Sequence, residues 1–196
     1  MAVDRGPVLK RCRALGIEPT VLGIDRKSNR QKRQGKKLSE YGLQLHEKQK
    51  AKFIYGVLEK PFRNYFAKAE RMKGQTGANL MILLERRIDN VIFRMGLART
   101  RREARQVVGH KHVLINGKKV NIPSYLVNVG DKIEITEKAK ETKRYKEIIE
   151  ETSSRIAPSW LDVNLEGMQA TVKALPTREE IQIPVDEMLI VELYSK

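Results

Sequence analysis

The dipeptide Asn116-Gly117 is the feature that most restricts how this chain folds. It separates two extended runs, Val113–Ile115 and Lys118–Val120, and both of its residues tolerate a positive φ, so it predicts a two-residue β-hairpin turn. Gly130-Asp131 predicts another turn before Lys132–Ile135, whose alternating pattern is typical of a strand. The three runs together predict a small antiparallel sheet.

Two short helices are predicted directly before the hairpin. Apolar residues from Ile88 to Met95 recur at the i, i+3, i+4 and i+7 positions of one helical face, and Gly96 ends that helix. Residues 100–103, Thr-Arg-Arg-Glu, form a capping box in which the Thr side chain accepts from the Glu amide and the Glu carboxylate reaches back. This box begins a second helix that extends to Gly109. Segment 86–136 is therefore predicted to fold as two helices on a small sheet.

The residues before this segment also predict helices. One helical pattern begins at Ser39, and a second helix follows Pro61 and is closed by Gly74. A third begins near Leu80 after a glycine-containing loop.

The residues after the segment are less periodic. Residues 137–155 are mostly charged and favour a helix, and residues 160–163 have the apolar content of a core. The apolar run 188–194 fits a helix or a strand, and Asp186 as an N-cap favours the helix.

The first 40 residues are predicted to form an extended basic arm. Val8 through Arg13 favours a short helix, which Gly16 and Pro19 end. Residues 25–37, DRKSNRQKRQGKK, contain no apolar side chain, so this run is predicted to be disordered unless RNA holds it. A flexible, solvated tail is the alternative interpretation.

The positive charge is unevenly distributed along the chain. The formal net charge is +15, yet residues 1–60 contain 15 Lys and Arg against 6 Asp and Glu, and residues 61–120 contain 14 against 4. Residues 121–196 contain 10 against 14. A basic surface attracts a polyanion by releasing its condensed counterions. A merely soluble basic protein is the alternative, whereas a membrane-surface helix is disfavoured because the basic stretches lack a strongly apolar face.

Arginines are concentrated around the turn between the two predicted helices. Three of them, Arg101, Arg102 and Arg105, are spaced to form a stripe that faces away from the apolar side of the second helix. Arginine favours bidentate phosphate contacts, and a helix N-terminus supplies free amide donors for the same ligand. RNA is favoured over DNA because no helix here is a long recognition helix, and A-form RNA is recognised by shape, phosphates and 2′-hydroxyls.

No metal site and no cofactor are expected. Cys12 is the single cysteine, and the three histidines are scattered apart from the pair at 110 and 112. That pair would face one side if it lay in a strand, but without a third ligand it is interpreted as an RNA contact or a turn.

No catalytic motif is present, so the chain is predicted not to be an enzyme. It lacks a nucleophile elbow, a phosphate loop of the Walker type and a metalloprotease helix. It also has no apolar run of about 20 residues and no apolar stretch near residue 1 that could act as a signal peptide, so a cytosolic location is expected.

The motifs of the central segment resemble a known module. RIDNV at 87–91, ARTR at 98–101, EARQ at 103–106 and HVLINGK at 112–118 are similar to the RNA-binding module named after ribosomal protein S-four. Pseudouridine synthases, some tRNA synthetases and heat-shock proteins carry the same module.

The flanking residues resemble the ribosomal protein itself. These are YG at 41–42, EKQK at 47–50, YGVLE at 55–59, WL at 160–161 and LIVELYS at 189–195. The match covers nearly the whole chain, which is identified as a member of the bacterial small-subunit ribosomal protein S-four family. Some relatives hold zinc through an N-terminal cysteine cluster, which this sequence lacks.

The resemblance implies an α+β fold, in which an RNA-binding module is inserted into a helical domain. The expected divisions are a basic arm at 1–40, a helical domain at 41–85 completed by 176–196, and an RNA-binding domain at 86–175 with its core module at 86–136.

The resemblance also implies a function. Members are primary assembly proteins that bind a multi-helix junction in the 5′ domain of 16S rRNA, as cytoplasmic components of the small ribosomal subunit. They contact a neighbouring small-subunit protein and influence translational fidelity, some repress their own mRNA, and mRNA entering its channel is a further expected partner. No membrane and no small-molecule substrate is expected.

The predicted RNA-binding residues follow from the matching motifs and from the charge. From the module they are Arg94, Arg99, Thr100, Arg101, Arg102, Arg105, Gln106, His110, Lys111, Asn116, Lys118 and Lys119. From the arm and the first helix they are Arg26, Lys27, Arg30, Lys32, Arg33, Lys36, Lys37, Lys48 and Lys50. Two alternatives share the module: an RNA-modifying enzyme, and a free stress-response RNA binder that rescues stalled large subunits.

Overall fold

A computed structural model describes residues 6–26, 30 and 38–195. The chain divides into two compact units, one made of Met1–Met81 with Gln182–Lys196 and the other of Ile82–Ile181; they are called unit 1 and unit 2 below. The helices are α1 (Val8–Leu15), α2 (Glu40–Tyr55), α3 (Glu59–Glu70), α4 (Thr76–Glu85), α5 (Ile88–Arg94), α6 (Arg101–Gly109), α7 (Glu137–Lys140), α8 (Lys143–Thr152) and α9 (Glu187–Tyr194). The strands are β1 (Val113–Ile115), β2 (Lys118–Val120), β3 (Lys132–Ile135), β4 (Leu161–Asn164) and β5 (Gln169–Val172).

The helices of unit 1 begin and end at capping residues. Ser39 Oγ accepts from the amide of Gly42 at 3.2 Å, which confirms the predicted start of α2, and Gly56 ends that helix with a φ of 63°. Helix α3 places Pro61 in its first turn, as predicted, but it ends at Glu70, before Gly74.

Helix α4 begins at Thr76, earlier than the prediction near Leu80. The difference arises at Gly77, which is buried: a Cβ atom there would lie 2.6 Å from Cγ of Glu187. Glycine is therefore used for close packing against α9, and not as a loop residue.

The first part of the predicted arm is folded. Helix α1 is capped by Gly16 with a φ of 63°, and a 3₁₀ turn follows at Pro19–Leu22. Cys12, Ile17 and Leu22 are buried, so these residues add to the core of unit 1 and are not extended.

Helix α9 completes unit 1. Asp186 accepts from the amide of Met188 at 3.0 Å, which confirms the predicted N-cap and the helical interpretation. The ring of Tyr194 stacks on that of Phe66 with 4.3 Å between centroids.

Unit 2 contains a five-stranded antiparallel sheet in the order β2-β1-β3-β5-β4. The predicted hairpin is confirmed: Ile115 pairs with Lys118, and the turn residues Asn116 and Gly117 have φ values of 49° and 76°. Strands β4 and β5 extend the sheet beyond the three predicted strands, because β5 pairs with β3 and β4 pairs with the other edge of β5.

The core of unit 2 lies between α5, α6 and the sheet. Ile88 and Ile92 of α5, Val108 of α6 and Val113 and Ile133 of the sheet are fully buried. This arrangement confirms the predicted α+β class, with two helices on a small antiparallel sheet. The charged stretch 137–155 forms α7 and α8, with Tyr145 and Ile148 as buried contacts.

Candidate nucleic-acid interface

A buried polar network fixes the corner between α5 and α6. Asn90 Nδ2 donates to Oε2 of Glu85 at 2.6 Å and to the Glu85 carbonyl at 3.0 Å. Arg94 donates to the same carboxylate from Nε at 3.1 Å and Nη2 at 2.8 Å. Glu85 is buried, so its charge is compensated within the protein and part of the donor capacity of Arg94 is used there.

Asp89 is the second buried carboxylate of the corner. Arg87 donates to it from Nε at 3.0 Å and Nη2 at 2.6 Å, and Arg105 donates from Nε at 3.0 Å and Nη2 at 2.8 Å. Two guanidinium groups thus share one carboxylate, which leaves this cluster with a net positive charge. The pairing holds Arg105 of α6 against the first turn of α5.

Arg101 is buried, which corrects the predicted stripe. Its Nε donates to Asn90 Oδ1 at 2.7 Å, and its guanidinium carbon lies 4.3 Å from the centroid of the Phe93 ring. Arg155 approaches the same ring at 4.7 Å and donates to the carbonyls of Ala98 and Arg99. Arg101 therefore faces the α5–α6 contact, and only Arg102 of the three spaced arginines is exposed.

The predicted capping box is confirmed on one side. Thr100 Oγ1 accepts from the amide of Glu103 at 3.2 Å. The carboxylate of Glu103, however, accepts from the amide of Arg99 at 2.7 Å, one residue before the cap, and from Arg144 at 2.7 Å. Both Thr100 and Glu103 thus hold the start of α6.

Arg99 is half-exposed and paired. Its guanidinium donates to both oxygens of Glu151, with Nη2 at 2.8 Å from Oε1. Hydrogen bonding to this carboxylate raises the pKa of Arg99.

The exposed cations of α6, of the turn after it and of strand β2 are Arg102, Lys111, Lys118 and Lys119. Within the described part of the chain none of these four forms an ion pair, in contrast to Arg94, Arg99 and Arg105. Lys111 adopts a φ of 62°, so the turn after α6 holds it in a left-handed conformation. Gln106 is exposed on α6, and His110 is exposed at the C-cap of that helix. The four cations together with Gln106 and His110 are named the corner surface below.

Asn116 has both ends of its side chain engaged in the fold. Its Nδ2 donates to Asp131 Oδ1 at 2.8 Å, and its Oδ1 accepts from the amide of Lys132 at 2.9 Å. Asp131 in turn accepts from the amide of Asn128 at 2.8 Å. This amide therefore joins the hairpin turn to the start of β3.

The two histidines do not lie in a strand, so the condition under which both rings would face one side is not met. His110 caps α6 and His112 precedes β1, with 5.9 Å between the ring centroids. Burial lowers the pKa of His112, and the nearby His110 and Arg144 act in the same direction. The neighbouring Tyr145 hydroxyl is buried, which raises its pKa to about 12. In residues 6–26, 30 and 38–195, no group of three or more His, Cys, Asp or Glu side chains is arranged to hold a metal ion.

In unit 1 the predicted basic residues differ from one another. Lys48 pairs with Glu59 at 3.0 Å and Lys50 with Glu47 at 2.5 Å, so both lysines serve as partners for carboxylates within the unit. Arg26 and Arg30 are exposed. The remaining predicted arm residues, Lys27, Lys32, Arg33, Lys36 and Lys37, lie outside the described residues.

Several residues that support the corner surface were not predicted from the sequence. Glu85, Asp89 and Asn90 carry the buried network, and Arg155 joins the loop before α6. The sequence did contain a signal for them: acidic and amide residues stand among the apolar residues of α5. A polar side chain that is buried among core residues needs a hydrogen-bond partner inside the protein.

Helices α5 and α6 on an antiparallel sheet, with exposed cations on α6 and on the hairpin that follows it, define a class of RNA-binding proteins. Residues 86–133 match the family model of the S4 domain, and residues 4–85 match that of the ribosomal protein S4/S9 N-terminal domain. Within the described part of the chain no helix is long and apolar enough to cross a membrane.

Full-length relatives identify the family. Small ribosomal subunit protein uS4 of Lachnospira eligens is 67% identical over 197 residues, and that of Agathobacter rectalis is 68% identical over 197 residues. The protein of the same name from Desulforamulus reducens is 51% identical over 208 residues. Each comparison covers 100% of both chains. The chain therefore belongs to the small ribosomal subunit protein uS4 family, a family of structural ribosomal proteins and not of enzymes.

Proposed function

We propose that this chain is a structural constituent of the small ribosomal subunit that binds rRNA through the corner surface. The observation that carries the proposal is the set of four exposed cations, Arg102, Lys111, Lys118 and Lys119, without ion-pair partners among the described residues. Full-length similarity to proteins named small ribosomal subunit protein uS4 supports rRNA as the RNA that is bound.

The corner surface binds RNA without first rearranging. The networks around Glu85 and Asp89 fix α5 against α6, and the bonds of Asn116 fix the hairpin turn. Less conformational entropy is then lost when phosphates bind, because the backbone that carries the cations is already ordered. Lysine and arginine contribute through counterion release, and Arg102 adds a planar donor set that matches a phosphate.

The paired arginines act differently from the exposed cations. Arg94, Arg101 and Arg105 donate within the protein, so they contribute positive potential and position α6. Thr100 and Asn116 belong to the same supporting group, whereas Gln106 and His110 are exposed beside the cations.

The finer role follows from the same family relationship. As a cytoplasmic ribosomal protein, the chain binds the multi-helix junction of the 16S rRNA 5′ domain early and so nucleates assembly of that domain. It contacts a neighbouring small-subunit protein and thereby influences fidelity, lies near mRNA where the message enters its channel, and represses translation of its own mRNA. The support for each of these roles is the similarity of the whole chain to uS4 proteins.

Affinity for a 5′-domain rRNA fragment across a salt series tests the proposal. A duplex of unrelated sequence and equal length serves as the control. Preference for the junction at physiological salt is expected, because phosphate contacts alone give equal and steeply salt-dependent binding. Equal affinity for the two RNAs contradicts the proposed specific role.

Sedimentation of the endogenous protein tests its place in the ribosome. It is expected to travel with small subunits. A stress-response RNA binder would sediment with large subunits only. A modifying enzyme would turn over a tRNA or rRNA uridine when the pure protein is assayed. Either result overturns the proposal.

A further inference from the structure

Helix α3 carries a row of basic side chains that do not belong to the predicted RNA-binding residues. Lys60, Arg63, Lys68 and the C-cap residue Arg71 are all exposed. With about 100° between successive residues of an α-helix, the four side chains fall within about 140° around the axis. They extend over about 16 Å along it. These four residues are named the α3 row.

The opposite face of α3 fixes the direction in which the α3 row points. Phe62, Phe66 and Ala69 are buried in the core of unit 1, and Phe66 also stacks on Tyr194. The helix cannot rotate without exposing two phenyl rings, so the α3 row is held toward solvent. This orientation does not depend on a partner.

The charge of the α3 row is not neutralised inside unit 1. In the described part of the chain none of its members forms an ion pair, whereas Glu59 is bound by Lys48 and Lys52, and Glu47 by Lys50. Glu70 is the other acid of α3, and it is exposed about 80° from Lys60 around the axis, at the edge of the row. The row therefore presents a net positive surface.

The residues between the cations suit a polynucleotide backbone. Asn64 and Ala67 are exposed within the α3 row, and neither is charged or bulky. Ala67 leaves room for a sugar-phosphate chain to approach the helix, and the amide of Asn64 can both donate and accept, as a 2′-hydroxyl requires. A membrane surface does not fit, because the apolar side chains of α3 are in the core and not beside the row.

We propose that the α3 row is a second RNA-binding surface, which contacts phosphates and riboses of rRNA independently of the corner surface. The inference rests on the proposed function for the identity of the RNA, and on the exposed, unpaired cations for the site. The predicted lysines of unit 1, Lys48 and Lys50, are occupied by carboxylates, so the α3 row takes the role that the sequence assigned to them.

The test compares two full-length variants that each lose four exposed positive charges. The first carries Lys60→Gln, Arg63→Gln, Lys68→Gln and Arg71→Gln. The control, matched in the number of exposed charges removed, carries Lys138→Gln, Lys143→Gln, Lys146→Gln and Lys173→Gln, all in unit 2 outside the corner surface. Lys143 and Lys173 lie in surface ion pairs with Glu147 and Asp162, which contribute little to stability. Thermal unfolding followed by circular dichroism checks that both variants fold, and Lys60→Gln and Arg71→Gln singly replace the first variant if it melts early.

The readout is the dependence of affinity for the 5′-domain rRNA fragment on salt. Each lost phosphate contact reduces the magnitude of the slope of log K against log salt by about 0.7–0.9, so the four substitutions of the α3-row variant are expected to reduce it by about 3–4 more than the control does. Its affinity at physiological salt is expected to fall by about 10- to 100-fold relative to the control, because affinity follows the number of phosphates neutralised.

Footprinting separates this inference from the proposed function. The α3-row variant is expected to lose protection at nucleotides that Arg102→Ala leaves protected. Slopes equal to the control overturn the α3 row as an RNA surface, while wild-type preference for the junction leaves the proposed function standing. If the wild-type protein shows no such preference, the proposed function fails, and the difference in slope still decides the role of the α3 row.

Discussion

Asp89 Oδ2 accepts two hydrogen bonds from Arg105, from Nε at 3.0 Å and from Nη2 at 2.8 Å, across 16 positions of sequence. Asp89 is buried at the start of α5, and Arg105 lies in the middle of α6. A residue that sequence alone places among the RNA contacts is therefore also a structural partner of a buried charge. Substitutions at the corner surface should divide accordingly into those that change stability and those that change affinity.

Arg105→Ala is expected to destabilise the protein. It leaves Asp89 with Arg87 as its remaining guanidinium partner among the described residues, and removing one partner of a buried charged group costs about 1–3 kcal/mol. Urea unfolding measures the loss. Arg102→Ala is the control, since Arg102 is exposed and a surface substitution changes stability by no more than about 0.5 kcal/mol. Equal stability of the two variants would mean that the Asp89–Arg105 pair contributes nothing.

Arg102→Ala is expected to weaken binding and leave stability unchanged. Loss of a charge-assisted phosphate contact reduces affinity by roughly 1–3 kcal/mol. The measurement is affinity for the 5′-domain fragment at one fixed salt concentration, with Lys146→Ala as a control on an exposed face of α8. Unchanged affinity for Arg102→Ala would place the RNA on another face of unit 2.

Asn116→Ala is expected to affect stability more than intrinsic affinity. The substitution removes the bonds to Asp131 and Lys132, and it places alanine at a φ of 49°, so the loss should be about 1–3 kcal/mol. Asn116→Gly removes the same bonds but accepts the positive φ, so it should lose less. Unfolding measures both variants, and affinity is measured below their melting temperatures. A large loss of affinity in a fully folded Asn116→Gly would instead indicate a direct RNA contact.

Local patterns predicted the elements of this fold well. The Asn116-Gly117 turn, the Thr100 cap and the Asp186 cap each depend on residues close in sequence, and each is confirmed. Strands β4 and β5 were not predicted, because β5 joins the sheet through β3, a partner far away in the chain, and β4 joins it only through β5. Distant partners also decide which cations are paired and which are exposed.

Whether a basic residue is free or paired is decided by tertiary contacts. Arg102 and Arg101 are neighbours of one type, yet one is exposed and the other lies against Phe93 and Asn90. Lys48 forms an ion pair and Lys60 forms none among the described residues, although each lies in a helix directly after a glutamate. Charge patterning thus predicts a basic protein, while the location of its acidic partners determines which side chains can bind RNA.

Deletion of residues 1–24 is expected to destabilise unit 1. The deletion removes the buried side chains of Cys12, Ile17 and Leu22, and each buried aliphatic side chain contributes about 1.5–3 kcal/mol. Neutralising the basic residues between 26 and 37 by substitution with Gln should leave the melting temperature unchanged and reduce the salt dependence of binding. Calorimetry and the salt series check the two parts. A deletion variant that melts like the wild type would show that α1 and the 3₁₀ turn do not support the core.

Glu59 is expected to make the stability of unit 1 depend on acid pH. Burial alone would raise its pKa, but hydrogen bonds and charge from Lys52 and Lys48 outweigh burial and lower the pKa to about 2 from 4.5. A carboxylate with a lowered folded-state pKa stabilises the protein above the unfolded-state value, and this contribution is lost as the pH falls from 4.5 to about 2. The Tyr194 hydroxyl, which donates to Oε1 of Glu59 at 3.2 Å, adds α9 to the same cluster.

The variant Glu59→Gln removes the charge at every pH. Its free energy of unfolding should lie below that of the wild type near neutral pH, by at most about 1 kcal/mol because the ion pairs are half-exposed. The difference should shrink toward zero as the pH approaches 2, since the wild-type carboxyl is then protonated. Glu70→Gln is the matched control on the same helix, as Glu70 is exposed and forms no ion pair among the described residues. A difference between wild type and Glu59→Gln that stays constant between neutral and acid pH would show that Glu59 acts through its shape and not through its charge.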